Sequence, residues 1–198
     1  MANNVRERIL EATYACVARY GLAKTTVEDA AREAKLSRAT IYRYFPGGKD
    51  QLIGDTVAWE SARFFQRLAE AVADAGDFAR LLEDALMFAH RAIEEHAVLQ
   101  KVLQTEPEKL LPHLTVGSDR LVVLIKDFLY PALEREHLRR GVGTEQAAEY
   151  LGRMVLSYIG AQGRWDLTDR VQVASLVRTE FLAGIVEPTG LSGVTTNT

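Results

Sequence analysis

The chain has 198 residues, 47% of them hydrophobic, which is enough to bury a core in one large or two small domains. Because the sequence has no run of eighteen apolar residues and no secretory h-region, we expect a cytoplasmic protein without a membrane span. The single cysteine excludes an intramolecular disulfide framework. The net charge of −3 is unevenly divided, because residues 1–50 carry nine Lys or Arg and six Asp or Glu, whereas residues 51–198 carry fifteen and twenty-one.

Helical periodicity runs along the whole chain, and the first predicted helix covers about residues 4–20. Gly21 follows as a C-terminal cap, since glycine readily adopts the left-handed conformation that ends many helices. The side chains expected to face inward are Ile9, Ala12, Cys16 and Val17. No alternating strand pattern occurs, so the sequence predicts an all-α fold.

A second helix is predicted to begin near residue 26, because Thr25 and Glu28 have the spacing of a capping box. Its apolar face consists of Val27, Ala30, Ala31 and Ala34, whose small side chains allow another helix to approach closely. After a short break, Ser37 is expected to cap a third helix that runs from residue 38 to about 45, with Ile41 and Phe45 facing inward. Two short helices joined in this way are the geometry that places a helix in the major groove of DNA.

The outer face of the third helix carries side chains suited to DNA. Arg38 is expected to reach a guanine edge, and Ala39 is small enough to let the backbone approach or to touch a thymine methyl group. Arg43 suits either bases or phosphates. Phosphate contacts are expected from Thr40, Tyr42, Tyr44 and Lys49, with further anion sites at the backbone amides near Thr26 and Ser37.

Residues 21–31, 36–45 and 49–52 together resemble the DNA-binding domain of TetR-family transcriptional regulators. Capping, turn and aromatic signals follow one another in the family's order, although Pro46-Gly47-Gly48 stands where many relatives have a shorter polar linker. The resemblance implies a homodimer whose two heads bind a pseudo-palindromic DNA operator. It also implies a body domain that binds a small molecule, and usually a repressor that this effector releases from DNA.

The rest of the chain is predicted to form a helical body, which makes about nine helices in all. The predicted domains are a helix-turn-helix head at 1–48, a ligand-binding and dimerisation domain at 49–187 and a disordered tail at 188–198. Pro131 is expected to kink or break one of the body helices. The predicted body helices span about 49–73, 78–95, 97–104, 107–113, 118–137, 144–161 and 169–186.

The middle helices of the body hold more large apolar side chains than a thin helical layer needs. For any single residue, ordinary core packing is the alternative interpretation. Taken with the family resemblance, the surplus indicates a cavity for an apolar or amphipathic effector. Residues 105–115 resemble body domains of actinobacterial members tied to lipid metabolism, which points to a lipid-like molecule. The candidate ligand contacts are Trp59, Phe64, Leu86, Phe88, His90, Leu103, Phe128 and Tyr158.

The last two predicted helices have wide apolar faces, and the resemblance implies that they form half of a four-helix dimer interface. The alternative is that they close the core of a monomer. Gly152, Gly160 and Gly184 are expected to allow close crossing of backbones. The candidate interface residues are Leu151, Val155, Ile159, Val177 and Phe181.

Two other function classes remain open at this point. Glu134 and His137 have the Glu-x-x-His spacing of carboxylate-bridged metalloenzymes, but the second copy that such a site needs is missing from the sequence. The chain also lacks a phosphate-binding glycine loop, a zinc-ligand spacing and a nucleophile elbow, so we predict neither an enzyme nor a cofactor. The second alternative is an interaction module whose head has lost DNA binding.

Overall fold

The computed structural model describes residues 2–110 and 118–187, and its regular elements in these ranges are helical. The predicted all-α class is confirmed; among the described residues, β pairing is limited to one isolated bridge between Leu138 and Val186. None of the described helices combines the length and apolarity needed to cross a membrane. The helices are α1 Ala2–Tyr20, α2 Val27–Glu33, α3 Arg38–Tyr44, α4 Gly48–Ala71, α5 Phe78–Glu94, α6 Ala97–Thr105, α7 Ser118–Leu133, α8 Thr144–Gly160 and α9 Arg170–Leu176, which continues as a π-helical turn over Val177–Phe181.

The described residues form two compact units. The first contains the described parts of 1–70 and 92–117, and the second contains those of 71–91 and 118–198. This division by compactness differs from the functional division at residue 48, which stays a prediction. The predicted tail at 188–198 lies outside the described residues, and so does most of the predicted helix at 107–113, of which 107–110 are helical.

The start of α2 lies one residue later than the predicted capping box. Thr26 is the N-cap: its hydroxyl oxygen accepts the Asp29 N–H at 3.1 Å, and the Asp29 carboxylate accepts the Thr26 N–H at 3.2 Å. Thr25 is buried and donates its hydroxyl to the Gly21 carbonyl at 2.7 Å, so it is not available as a cap. The hydrogen bond from the Thr26 hydroxyl lowers the pKa of Asp29 and keeps this cap ionised.

The helix-turn-helix packs on α1 and the start of α4. Its core is a continuous apolar cluster, which confirms the predicted inward faces of the first three helices. Cys16 and Val17, also predicted to face inward, are buried as well. The cluster consists of Ile9, Leu10, Ala12, Val27, Ala30, Ala31, Ala34, Ile41, Phe45 and Leu52.

Two predicted helices in the second unit end earlier than expected. Helix α7 continues through Pro131 and ends at Leu133, so the proline does not split the helix. The last predicted helix, at 169–186, is α-helical only to Leu176 and then widens into the π-helical turn.

Of the three glycines predicted to permit close crossing, one lies at such a contact. A Cβ atom at Gly152 would lie 3.3 Å from the Val122 carbonyl oxygen, so α7 and α8 approach closely at this point. Gly160 and Gly184 have no heavy atom of the described residues within 4 Å of that position, so neither lies at a close helix crossing within this part of the chain. For a crossing with a partner subunit, both stay a prediction.

Candidate DNA-binding surface

Helix α3 presents a polar face because its opposite face is fully buried. Ile41 and Phe45 are both 0% exposed, whereas Arg38, Ala39 and Arg43 are exposed on the outer side. With the inner side held in the core, the helix cannot rotate about its own axis without exposing two large apolar side chains. The predicted reading face is therefore the exposed face.

The hydroxyl groups at the start of α3 are used to build the helix. The Ser37 side chain accepts the Thr40 N–H at 3.1 Å, and the two hydroxyl oxygens lie 2.9 Å apart. Thr26 is similarly engaged, since its hydroxyl donates to Asp29 at 2.6 Å. Ser37 and Thr26 thus have an intramolecular role as caps, and the Thr40 hydroxyl is paired with that of Ser37. Any phosphate would share an already oriented hydroxyl at these three predicted DNA contacts.

Arg38 has two neighbours within the head. Its Nη1 lies 2.8 Å from Oε1 of Glu28 on α2, and its guanidinium carbon lies 5.8 Å from the centre of the Tyr42 ring. The carboxylate and the ring together restrict a long side chain that would otherwise sample many rotamers. In the sequence, Glu28 has the spacing of a capping box, and no local pattern predicts its contact with Arg38.

The two tyrosines of α3 differ in their surroundings. Tyr42 is 41% exposed, whereas Tyr44 is half-buried and packs against the head core. Arg43 lies over the Tyr44 ring, 5.4 Å from its centre. Tyr44 therefore also supports the head, while Tyr42 is the more exposed of the two.

The loop between α1 and α2 is held by side chains that are distant in sequence. Lys49 at the start of α4 donates to the Ala23 carbonyl at 2.7 Å, and Glu106 accepts the Ala23 N–H at 2.6 Å. Lys101 of α6 donates to the Ala18 carbonyl at 2.8 Å, near the end of α1. Lys49, predicted to contact phosphate, thus also fastens the loop that precedes α2. No local signal identifies Glu106 or Lys101, because each is 83 residues from its partner.

The predicted ligand contacts in the first unit take part in its packing. Trp59 packs against the head core, with its ring 6.5 Å from that of Tyr14 and the Arg63 guanidinium 4.6 Å from its centre. Leu103 packs against a second buried cluster that includes Val17 and Ile53. Phe64 makes an edge-to-face contact with Phe65, at 5.5 Å between ring centres.

The predicted ligand contacts in the second unit are partly accessible. Leu86 is buried, whereas Phe88 and Phe128 are half-buried. His90 is half-buried, and its Nδ1 lies 3.2 Å from Nε2 of Gln162. Leu86 therefore belongs to the core of this unit, whereas Phe88, His90 and Phe128 keep part of their surface exposed.

Tyr158 belongs to a polar cluster around Glu180 in the π-helical turn. The Glu180 carboxylate accepts the Tyr158 hydroxyl, the Trp165 Nε1–H at 3.0 Å and an Arg164 N–H at 3.1 Å. The hydrogen bond from Tyr158 is the main cause of the lowered pKa of Glu180, and the same bond raises the pKa of Tyr158. Tyr150 adds a bond to the Glu180 carbonyl at 3.0 Å, so the turn is held by four side chains.

The predicted dimer contacts require revision, because three of them lie inside their own unit. Leu151, Val177 and Phe181 are each 0% exposed. Val155 and Ile159 are half-buried. A partner subunit would meet their exposed neighbours first. Val171, 78% exposed on α9, is the most exposed large apolar side chain among the described residues.

The metalloenzyme alternative depends on Glu134 and His137, which both follow the end of α7 and are exposed. They are therefore not one turn apart on a helix, as the predicted spacing assumed. Within residues 2–110 and 118–187, no three His, Cys, Asp or Glu side chains are grouped so that they could hold a metal ion.

Comparison with known proteins identifies the head. Residues 9–56 match the model of the family described as bacterial regulatory proteins, tetR family. No curated protein matches the chain.

Solved structures share its fold over most of the chain. The R. erythropolis transcriptional repressor QsdR is 17% identical, with 96% of this chain and 100% of that chain covered and a TM-score of 0.64. The repressor AlkX from Dietzia sp. strain DQ12-45-1b is 18% identical, with 87% and 91% covered and a TM-score of 0.63. The fatty acid degradation regulator FadR from Bacillus halodurans is 20% identical, with 88% and 98% covered and a TM-score of 0.55.

The Glu106 contact predicts unequal effects of two glycine substitutions. Gly21 and Gly141 have φ values of +86° and +88°, so alanine at either position is strained by roughly 1–2 kcal/mol. Only at Gly21 would the new Cβ displace the Glu106 carboxylate, because Gly141 has open space there. We expect Gly21→Ala to lower the free energy of unfolding by about 1 kcal/mol more than Gly141→Ala, as measured by urea denaturation. The same two glycine substitutions are also made in a Glu106→Ala background. If they lower the free energy of unfolding by equal amounts in both the wild type and this background, the Glu106 carboxylate contributes nothing to the difference.

Proposed function

We propose that this chain is a transcriptional regulator, namely a homodimeric repressor that a small apolar or amphipathic effector releases from its operator. The match of residues 9–56 to the model of the tetR family supports this proposal. The observation that carries the DNA-binding half of this proposal is α3. One side of this helix is completely buried, and the other exposes Arg38, Tyr42 and Arg43. A helix held in this way can enter the major groove without rearrangement of the head.

In the proposed complex, base and phosphate contacts are divided among these residues. Arg38 pairs with a guanine edge, since a guanidinium matches the O6 and N7 acceptors of guanine. Tyr42 and Arg43 contact phosphates, which position the helix but carry no sequence information directly. Lys49 contributes mainly by holding Ala23, so its phosphate role is secondary.

A dimer places two such helices in successive major grooves, so the spacing between heads selects the spacing of operator half-sites. We place the dimer interface on the exposed surfaces of 144–187. This choice is supported by the exposed Val171 and by the buried contacts of Leu151 and Phe181, which hold these surfaces in place.

The effector is proposed to bind in the body and to favour a dimer whose head spacing no longer matches the operator. An effector that lowers operator affinity a hundredfold needs about 2.7 kcal/mol of differential binding between the two states, which burial of a few methylene groups at ~0.8 kcal/mol each supplies. Two proteins of similar fold, a regulator of fatty acid degradation and a repressor implicated in n-alkane biodegradation, support an apolar effector.

The base-reading role of Arg38 is tested with operator variants. Arg38→Ala is expected to cost roughly 1–3 kcal/mol on the operator and to relax preference at one position per half-site. Tyr42→Phe should weaken binding to all sequences alike, because it removes a phosphate donor. Quantitative binding to every single-base operator variant measures both effects. If Arg38→Ala keeps the wild-type preference, Arg38 does not read a base.

The interface is tested by placing a charge on either of two exposed valines. Val171→Glu should shift the dimer toward monomer and lower operator affinity, because a carboxylate would be desolvated against the partner. The matched control is Val123→Glu, which is 46% exposed on α7 outside the proposed interface and should leave the dimer intact. Sedimentation velocity over a range of concentrations measures both variants. If Val123→Glu dissociates the dimer and Val171→Glu does not, the interface lies elsewhere.

The effector hypothesis is tested through thermodynamic linkage. Fatty acids, alkanes and acyl thioesters are screened by thermal shift, and a ligand found in this way is titrated with and without saturating operator. Because coupling between two sites is reciprocal, operator DNA should weaken ligand binding by the same factor by which the ligand weakens operator binding. A ligand whose affinity is unaffected by operator would refute coupled release, even though a binding site exists.

A further inference from the structure

The ion pair between Glu28 and Arg38 lies on the face that the proposed function assigns to DNA. Their side chains are 49% and 59% exposed, respectively, and Glu28 Oε1 lies 2.8 Å from Arg38 Nη1. Glu28 is in the first turn of α2, but Asp29 supplies the capping carboxylate there. The Glu28 carboxylate is therefore not needed to start the helix.

Stability does not account for this pair. An exposed ion pair contributes little, because water and salt screen it and two long side chains must be ordered. A carboxylate on this face also repels DNA phosphates, so its charge opposes binding to DNA of any sequence. The remaining effect of the contact is on the position of the Arg38 side chain.

We propose that Glu28 is a positioning residue that determines sequence specificity by directing Arg38 to a base instead of a phosphate. This inference rests on the proposed function, in which Arg38 reads guanine. Glu28 contacts Nη1, which leaves the edge formed by Nε and Nη2 to pair bidentately with the guanine acceptors. The Tyr42 ring, 5.8 Å from the guanidinium carbon, limits its movement on another side.

Charge explains why the carboxylate favours base over phosphate contacts. Attraction of a guanidinium to phosphate depends on its net charge, which the adjacent carboxylate largely neutralises. Hydrogen bonds to the neutral acceptors of guanine depend more on donor geometry, which the carboxylate preserves. Glu28 thus penalises non-specific DNA more than the operator, so it increases the ratio between the two affinities.

The test measures base preference and general affinity separately. Wild type and variants are each used to select from one pool of randomised DNA duplexes, and affinities are then measured for the selected duplex, its single-base variants and an unrelated duplex. The variants are Glu28→Gln, Arg38→Gln and the double variant. The matched control is Glu33→Gln, which removes the same charge from the same helix but from a carboxylate paired with Arg19 at 3.2 Å.

We expect Glu28→Gln to raise affinity for the unrelated duplex and to reduce discrimination at the Arg38-dependent base pair by roughly fivefold or more. Glu33→Gln should leave that discrimination unchanged. In the Arg38→Gln background, Glu28→Gln should cause no further loss of preference, because its effect acts through the guanidinium.

Three results would overturn the inference alone: unchanged preference in Glu28→Gln, an equal loss in Glu33→Gln, or a further loss in the Arg38→Gln background. Failure of the proposed function gives a different pattern. In that case either the wild type selects no preferred duplex, or Arg38→Gln keeps the wild-type preference. Either result refutes the proposed function, and with it the positioning role of Glu28.

Discussion

The burial of Ile41 and Phe45 is the constraint on which the DNA-binding surface depends. Helix α3 has only seven residues, too few to be stable without tertiary contacts. Ile41 of this helix and Phe45, its C-cap, are both 0% exposed in the core that α1, α2 and α4 share. This burial stabilises the helix and fixes its rotation at once, so the exposure of Arg38 and Tyr42 follows from packing on the opposite side.

Polar contacts then position the elements that flank this core. Ala23, in the loop before α2, is held through both its backbone groups, by Lys49 from α4 and by Glu106 after α6. Charged side chains that bond to backbone groups fix a loop in a way that apolar contacts cannot, since the bonds are directional. Residues distant in sequence thereby fix the loop that leads into α2, and α2 in turn places Glu28 beside Arg38.

In the second unit a single carboxylate has a comparable organising role. Glu180 accepts hydrogen bonds from Tyr158, Trp165 and Arg164. These three donors stabilise the negative charge of the Glu180 carboxylate, which lies in the π-helical turn. A π-helical turn has a less favourable hydrogen-bond geometry than an α-helix and persists where its surroundings support it. This cluster holds the π-helical turn against α8, next to the surface proposed for dimerisation.

The sequence alone determined the helical class, most helix positions, the buried face of α3 and the exposed polar face opposite it, because periodicity and capping act over a few residues. It placed the α2 cap one residue early, since the choice between Thr25 and Thr26 depends on the Gly21 carbonyl, which captures the Thr25 hydroxyl. Tertiary structure alone decided that Leu151, Val177 and Phe181 are core residues and that Trp59 packs on the head. The apolar periodicity of a core face and of an interface is the same, and only the fold determines which neighbour covers it.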